Sequence, residues 1–166
     1  MKEFDQEADR FPRTELQAHV AAHPYLLGIK EQHIRILADA AMLRTFQAGE
    51  HIFRAGEPAN RFYLIEQGEV ALEAASPNEK AVIIDTVRAD GLLGWSWLFP
   101  PYIWHFDARA VQPTKAIFFY GTILREYCDK EPALGLELFK RMTTVMVSRL
   151  QAARTKLIVA MKETAH

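Results

Sequence analysis

Between Gly91 and Ala110 the chain reads G-L-L-G-W-S-W-L-F-P-P-Y-I-W-H-F-D-A-R-A, and the groups best able to hold a ligand gather there. Glycines close an apolar strand, an aromatic segment follows, Pro-Pro breaks it, and an alternating strand leaves. In that strand Trp104, Phe106, Ala108 and Ala110 share one face, and His105, Asp107 and Arg109 the other, the period of two of a half-buried strand. The amides after Gly94 and the Ser96 hydroxyl suit an anion. Trp95, Tyr102 and Trp104 offer rings on which a flat or apolar ligand could stack. His105 could touch an anion or a metal, but its parity turns it towards solvent. The aromatics could equally fill a cavity as core, and both readings stay open at this point.

Other chemistries find less support. A jelly-roll metal site needs clustered histidines and carboxylates, and His51 and His105 stand apart. Nothing nearby pairs a nucleophile with a base, so no catalytic residue is expected. Cys128 is the only cysteine, which excludes an intrachain disulfide and a Cys-rich zinc site; a half-buried, inert thiol is expected. With 166 residues, 49% hydrophobic, 25% charged and a net charge of −1, the chain suits one globular domain. It carries no basic stripe for nucleic acid. The N-terminus shows no basic region followed by an apolar run, and no stretch approaches the roughly 20 residues of a membrane span. A cytoplasmic protein without membrane contact is expected.

The elements that must position these residues follow from pattern. Residues 1–13 read as a polar arm. Thr14 with Gln17 reads as a capping box opening a helix to about His23, where Pro24 stops it. Ile34, Leu37, Ala38 and Ala41 at helical spacing predict a second helix over 30–43. Short strands follow around Gly49 and Gly56. Arg61–Glu66 and Glu69–Ala74 flank Gln67-Gly68, which reads as a hairpin turn. Ser76-Pro77-Asn78 turns the chain into a strand over 81–87, and 115–120 forms another. The spacing predicts a mainly β jelly roll with flanking helices. Thr122–Lys130 reads as a short helix. Pro132 opens a long one on which Leu136, Phe139, Thr143, Met146, Leu150, Ala153, Leu157 and Ala160 form a 3-4 seam suited to a homodimer. Leu138, Met142 and Val145 form a second stripe facing the roll. The division is an arm and short helix over 1–23, then one domain over 24–166 with its C-terminal helix from about 131.

From Phe46 to Leu72 the chain reads F-Q-A-G-E-H-I-F-R-A-G-E-P-A-N-R-F-Y-L-I-E-Q-G-E-V-A-L, with turn glycines at Gly49, Gly56 and Gly68. This segment and the helix–roll–helix order resemble the cyclic-nucleotide-binding domain family. M-V-S-R-L-Q-A-A-R-T-K-L is similar to the dimer helix of the catabolite activator group. The resemblance implies a β-roll and a phosphate-binding cassette: Gly-Glu, a short helix, then Arg-Ser/Thr-Ala. Gly94 matches the cassette glycine, but Trp95 stands at the glutamate and Trp104 near the arginine. Ala153 and Arg154 stand where the activator group reads adenine with Thr-Ser. Two lost charge-assisted contacts, each worth about 1.5–3 kcal/mol, weaken a cyclic nucleotide by about two to four powers of ten.

The resemblance thus implies a non-catalytic regulatory or sensor domain, with no assigned cofactor, that holds cyclic AMP poorly. Its ligand positions would be Gly94, Trp95, Ser96, Tyr102, Trp104, His105, Ala153 and Arg154. A nucleotide-like or other anionic or aromatic small molecule is the expected occupant. A true cyclic AMP or cyclic GMP signalling protein, and a ligand-free module docking on a protein partner, are the alternatives. The chain ends soon after the dimer helix, so no direct DNA binding is expected. The hinge is expected at Gly121 and Glu131-Pro132.

Overall fold

The computed structural model describes residues 13–77 and 79–165. The polar arm, apart from Arg13, and Asn78 of the predicted turn lie outside the described residues.

Helix α1 (Arg13–Ala22) and α2 (Glu31–Asp39) precede eight strands. These are β1 (Ala41–Phe46), β2 (His51–Phe53), β3 (Arg61–Gln67), β4 (Glu69–Ser76), β5 (Glu79–Arg88), β6 (Leu92–Leu93), β7 (Asp107–Ala110) and β8 (Thr114–Tyr120). Helices α3 (Gly121–Lys130) and α4 (Pro132–Thr164) follow. Two antiparallel four-stranded sheets form, in the orders β1-β8-β3-β6 and β2-β7-β4-β5. This is the predicted mainly β roll followed by a long helix.

The first sheet is buried on both faces, which explains why β3 reads F-Y-L-I rather than alternating. Tyr63 and Ile65 turn inwards to meet Phe46, Val70, Leu93 and Phe118 between the sheets. Phe62 and Leu64, on the opposite face, pack beneath the helices with Leu37, Phe119, Leu134, Leu138 and Met142. Successive strand residues alternate faces, so the outer helices and the inner roll each take one set. In the second sheet Val82 and Ile83, successive residues of the edge strand β5 on opposite faces, are both exposed, so this end of β5 is covered on neither side.

Three expectations are corrected. Helix α2 stops at Asp39, because Ala41 to Phe46 pair in register with Phe119 to Thr114 of β8. Strand pairing there outweighs the helical propensity of Ala-Ala-Met-Leu. Gln67-Gly68 is not a hairpin turn: β3 and β4 belong to different sheets, and Gly68 turns the corner between them. Gly68 has φ +101°, and a Cβ there would lie 2.4 Å from Thr114 Oγ1. Only glycine fits that corner. Thr14 lies inside α1, which begins at Arg13, so it does not cap the helix.

Pro132 occupies the first turn of α4, where a missing N–H costs nothing. Leu134, Leu138 and Met142 of α4 are fully buried, while Leu136, Leu150 and Leu157 are exposed. Arg141 fastens α4 to the segment after α1, its Nη1 donating to the Tyr25 carbonyl at 2.7 Å and its Nη2 to that of Leu27 at 2.9 Å. No helix among the described residues is long and apolar enough to cross a membrane.

Candidate functional site

The site lies where β6 ends and the chain loops back to β7, beneath α4. Gly94 turns the chain with φ +89°, and an added Cβ would sit 2.7 Å from Trp104 Cη2. The indole of Trp104 therefore rests directly on the glycine. Its ring also stacks on Phe53, centroids 3.8 Å apart and planes 9° apart. Its backbone is strapped to the neighbouring turn, the Gly56 amide donating to its carbonyl at 2.8 Å and its own amide to the Glu57 carbonyl at 3.0 Å. Trp104 is buried and spans the space between the glycine turn and the second sheet.

After Gly94 the segment that the resemblance makes a short helix is a single 3-10 turn, Ser96–Leu98, with Trp97 fully buried. Trp97 stacks on Phe62 at 5.2 Å, anchoring the turn to β3. Trp95 is half-buried, and the guanidinium of Arg149 from α4 lies over its ring at 4.9 Å. Arg149 Nη2 donates to the Leu92 carbonyl, and its Nε is 3.7 Å from an oxygen of Asp85 on β5. Burial pushes the Arg149 guanidinium below its ordinary value, with Asp85 opposing the shift; an arginine stays charged regardless.

Two connected spaces result. A cavity of about 150 Å³ lies between Phe53, Leu93, Gly94, Trp95, Ser96 and Trp104, with His105 and Phe106 at its rim. A larger groove of about 730 Å³ runs between β5 and α4, lined by Ile84, Met146, Val147, Leu150 and Ala153. Leu72, Trp95, Phe106 and Arg149 line both.

Six of the eight predicted positions thus come together: Gly94, Trp95, Ser96, Trp104 and His105 around the small cavity, and Ala153 on the groove wall. Two do not. Tyr102 lies outside both spaces, its ring covered by the Arg125 guanidinium at 4.3 Å. Arg154 is exposed on α4 and lines neither. Phe106 lines the same cavity as Trp104, as the alternation expects, but is 36% exposed at its rim. His105 is exposed, as parity requires, and Arg109 lies away from the cavity with its Nε donating to Glu73 Oε1 at 2.9 Å.

Sequence reasoning missed Arg149 and Asp85. A signal for the first was present: Leu138, Met142 and Val145 continue at heptad spacing to Arg149, so the roll-facing stripe ends in an arginine. Asp85 had none, since its role comes from a contact across the groove. Among the described residues no three histidines, cysteines or carboxylates converge on a metal position. Cys128 is half-buried, and burial pushes its thiol upwards.

Comparison with known proteins adds kinship to this geometry. The family model described as cyclic nucleotide-binding domain matches residues 43–131. A CRP-like cAMP-activated global transcriptional regulator of Mycobacterium tuberculosis is 22% identical over 130 residues. That match covers 78% of this chain but 56% of the regulator, so the chain spans little more than half the length of this relative. Among solved structures, a cyclic nucleotide-binding domain from Methylobacillus flagellatus has a TM-score of 0.72 at 18% identity, covering 88% of this chain and 80% of that one. The sensor domain of the transcriptional regulator DNR from Pseudomonas aeruginosa has a TM-score of 0.65 at 22% identity, covering 84% and 93%. At these identities the structural likeness speaks to the fold.

Proposed function

The chain belongs to the cyclic nucleotide-binding domain family, and from that premise we propose that it is a non-catalytic regulatory sensor whose pocket has lost the grip on a sugar phosphate. The observation that carries this reading is the position of Trp104. Its indole lies against Gly94 and on Phe53, in the space where the resemblance puts the arginine-bound cyclic phosphate. The cavity left beside it, about 150 Å³, falls below the roughly 300–1,000 Å³ of ordinary ligand pockets. Trp95, at the glutamate position, offers no acceptor for a ribose hydroxyl, because an indole only donates.

The signal leaves through α4. Arg149 joins that helix to the strand before the glycine turn through the Leu92 carbonyl, so an occupant that moves the turn also moves the helix. The seam from Leu136 to Ala160 is exposed at Leu136, Phe139, Leu150 and Leu157, which supports a homodimer read out by helix displacement, with the break at Glu131-Pro132 as the hinge. A ligand shifts such an equilibrium only by its differential affinity for the two arrangements.

Calorimetric titration with cyclic AMP and cyclic GMP tests the reading. Saturable binding at micromolar concentration by either would overturn it and return the chain to ordinary second-messenger sensing. The expected result is no saturable heat in that range.

A further inference from the structure

Arg149 is a cation held inside an apolar cleft, with Asp85 as an ionic partner that does not reach hydrogen-bond distance. Its side chain is four-fifths buried, and its guanidinium lies over the Trp95 ring and gives one hydrogen bond to the Leu92 carbonyl. The carboxylate of Asp85 stands 3.7 Å from Nε, beyond hydrogen-bond distance. A guanidinium has five N–H donors in a planar fork, so one neutral acceptor leaves most of that capacity for something else. A charge withdrawn from water without a full partner is costly, and a carboxylate arriving in the fork would relieve that cost with two parallel bonds.

What surrounds the fork defines the rest of the occupant. The groove of about 730 Å³ has the size of a small-molecule site, and its walls are Ile84, Met146, Val147, Leu150 and the rings of Trp95 and Phe106. Met146 and Leu150 also belong to the proposed dimer seam, so in the dimer a partner helix would border this wall. The two rings at the cation's end favour a flat body over a flexible chain. Lys156 also lines the groove and adds positive potential. Asp85 is the one acid among the lining residues, beside the arginine.

We propose that this groove, and not the cavity behind Trp104, is the sensing site, and that it takes an aromatic carboxylate with its acid group in the fork of Arg149. The inference rests on the sensor reading above and names its ligand class. Because Arg149 belongs to α4 and its hydrogen bond goes to β6, an acid paired with the remaining donors of the same guanidinium pulls on the group that ties helix to roll. Binding would thereby loosen or re-aim the link between roll and helix.

The test is calorimetric titration of the full chain with 2-naphthoate, its neutral amide 2-naphthamide, and cyclic AMP in parallel. Saturable binding of 2-naphthoate is expected, with the amide about tenfold weaker or more, the loss of one charge-assisted pair. Arg149→Met should weaken the acid by a similar factor and leave the amide unchanged. Arg149→Lys keeps the charge but not the fork, and carries the test if the methionine variant does not retain its thermal transition. Equal affinity for acid and amide, indifference of the acid to both substitutions, or no binding of 2-naphthoate at millimolar concentration would each overturn the proposal. Micromolar binding of cyclic AMP would instead overturn the sensor reading itself, so the two failures are told apart by which titrant responds.

Discussion

Trp104 and Gly94 depend on each other. The indole fills the space that a side chain at 94 would need, and the glycine's φ of +89° is one that L residues rarely adopt. Gly94→Ala should therefore destabilise the fold by more than about 1 kcal/mol from backbone strain alone. Pairing it with Trp104→Leu should recover only the clash, since the φ remains. Trp104→Ala should cost about 3–5 kcal/mol, the loss of a buried ring with a cavity left behind. Denaturant unfolding of the three variants reads all of this, and a loss below about 1 kcal/mol for Trp104→Ala would mean that its burial is not what holds the turn. The indoles were legible in the sequence as replacements for a charged pair, because family spacing assigns their positions. Arg149 was not seen, because its place in the groove depends on a helix folding back over a strand 57 residues earlier in the chain, and no local pattern announces that.

At the scale of elements, α4 carries two stripes with opposite fates. Leu138 and Met142 are fully buried against the roll, and Leu150 and Leu157 are about 60% exposed. Leu138→Ala should cost about 2–5 kcal/mol of unfolding free energy. The double change Leu150→Glu and Leu157→Glu should leave the melting of the roll unaltered and shift sedimentation from dimer to monomer. A monomeric parent protein would refute the seam. Both stripes were legible from spacing alone, since heptad periodicity is a property of one helix. The turn at Gly68 was not: Gln67-Gly68 between two apolar runs is the signature of a hairpin, and only the pairing of β3 with β8 and of β4 with β7 shows that it joins two sheets. The strand at Ala41 was missed for the same reason, its partner lying more than seventy residues downstream.

For the molecule as a whole, alkaline stability is set by buried phenols. Burial holds Tyr25 and Tyr63 above the ordinary value of 10.0. The folded state then keeps protons that the unfolded chain releases. This contribution is fully present below about pH 10 and is lost as pH rises from there towards the folded values. Melting temperature should fall above about pH 10, and Tyr25→Phe should flatten the fall. The Tyr25 hydroxyl is buried without a hydrogen-bond partner, so the same change should not lower stability at about pH 7. A marked loss at neutral pH would show that the hydroxyl is solvated after all.

The far end of α4 carries a last consequence. From Leu150 onwards every described residue is exposed, and fifteen helical residues run on for about 22 Å, the first of them along the groove wall. A free rod of that length is marginal in water, the more so with Leu157, Ile158, Val159 and Met161 bare. In the proposed homodimer its order comes from the partner helix, and dilution, which removes that partner, lets the rod fray. Amide hydrogens from residue 150 to 164 should exchange faster as protein concentration falls, while those of the roll keep their pace.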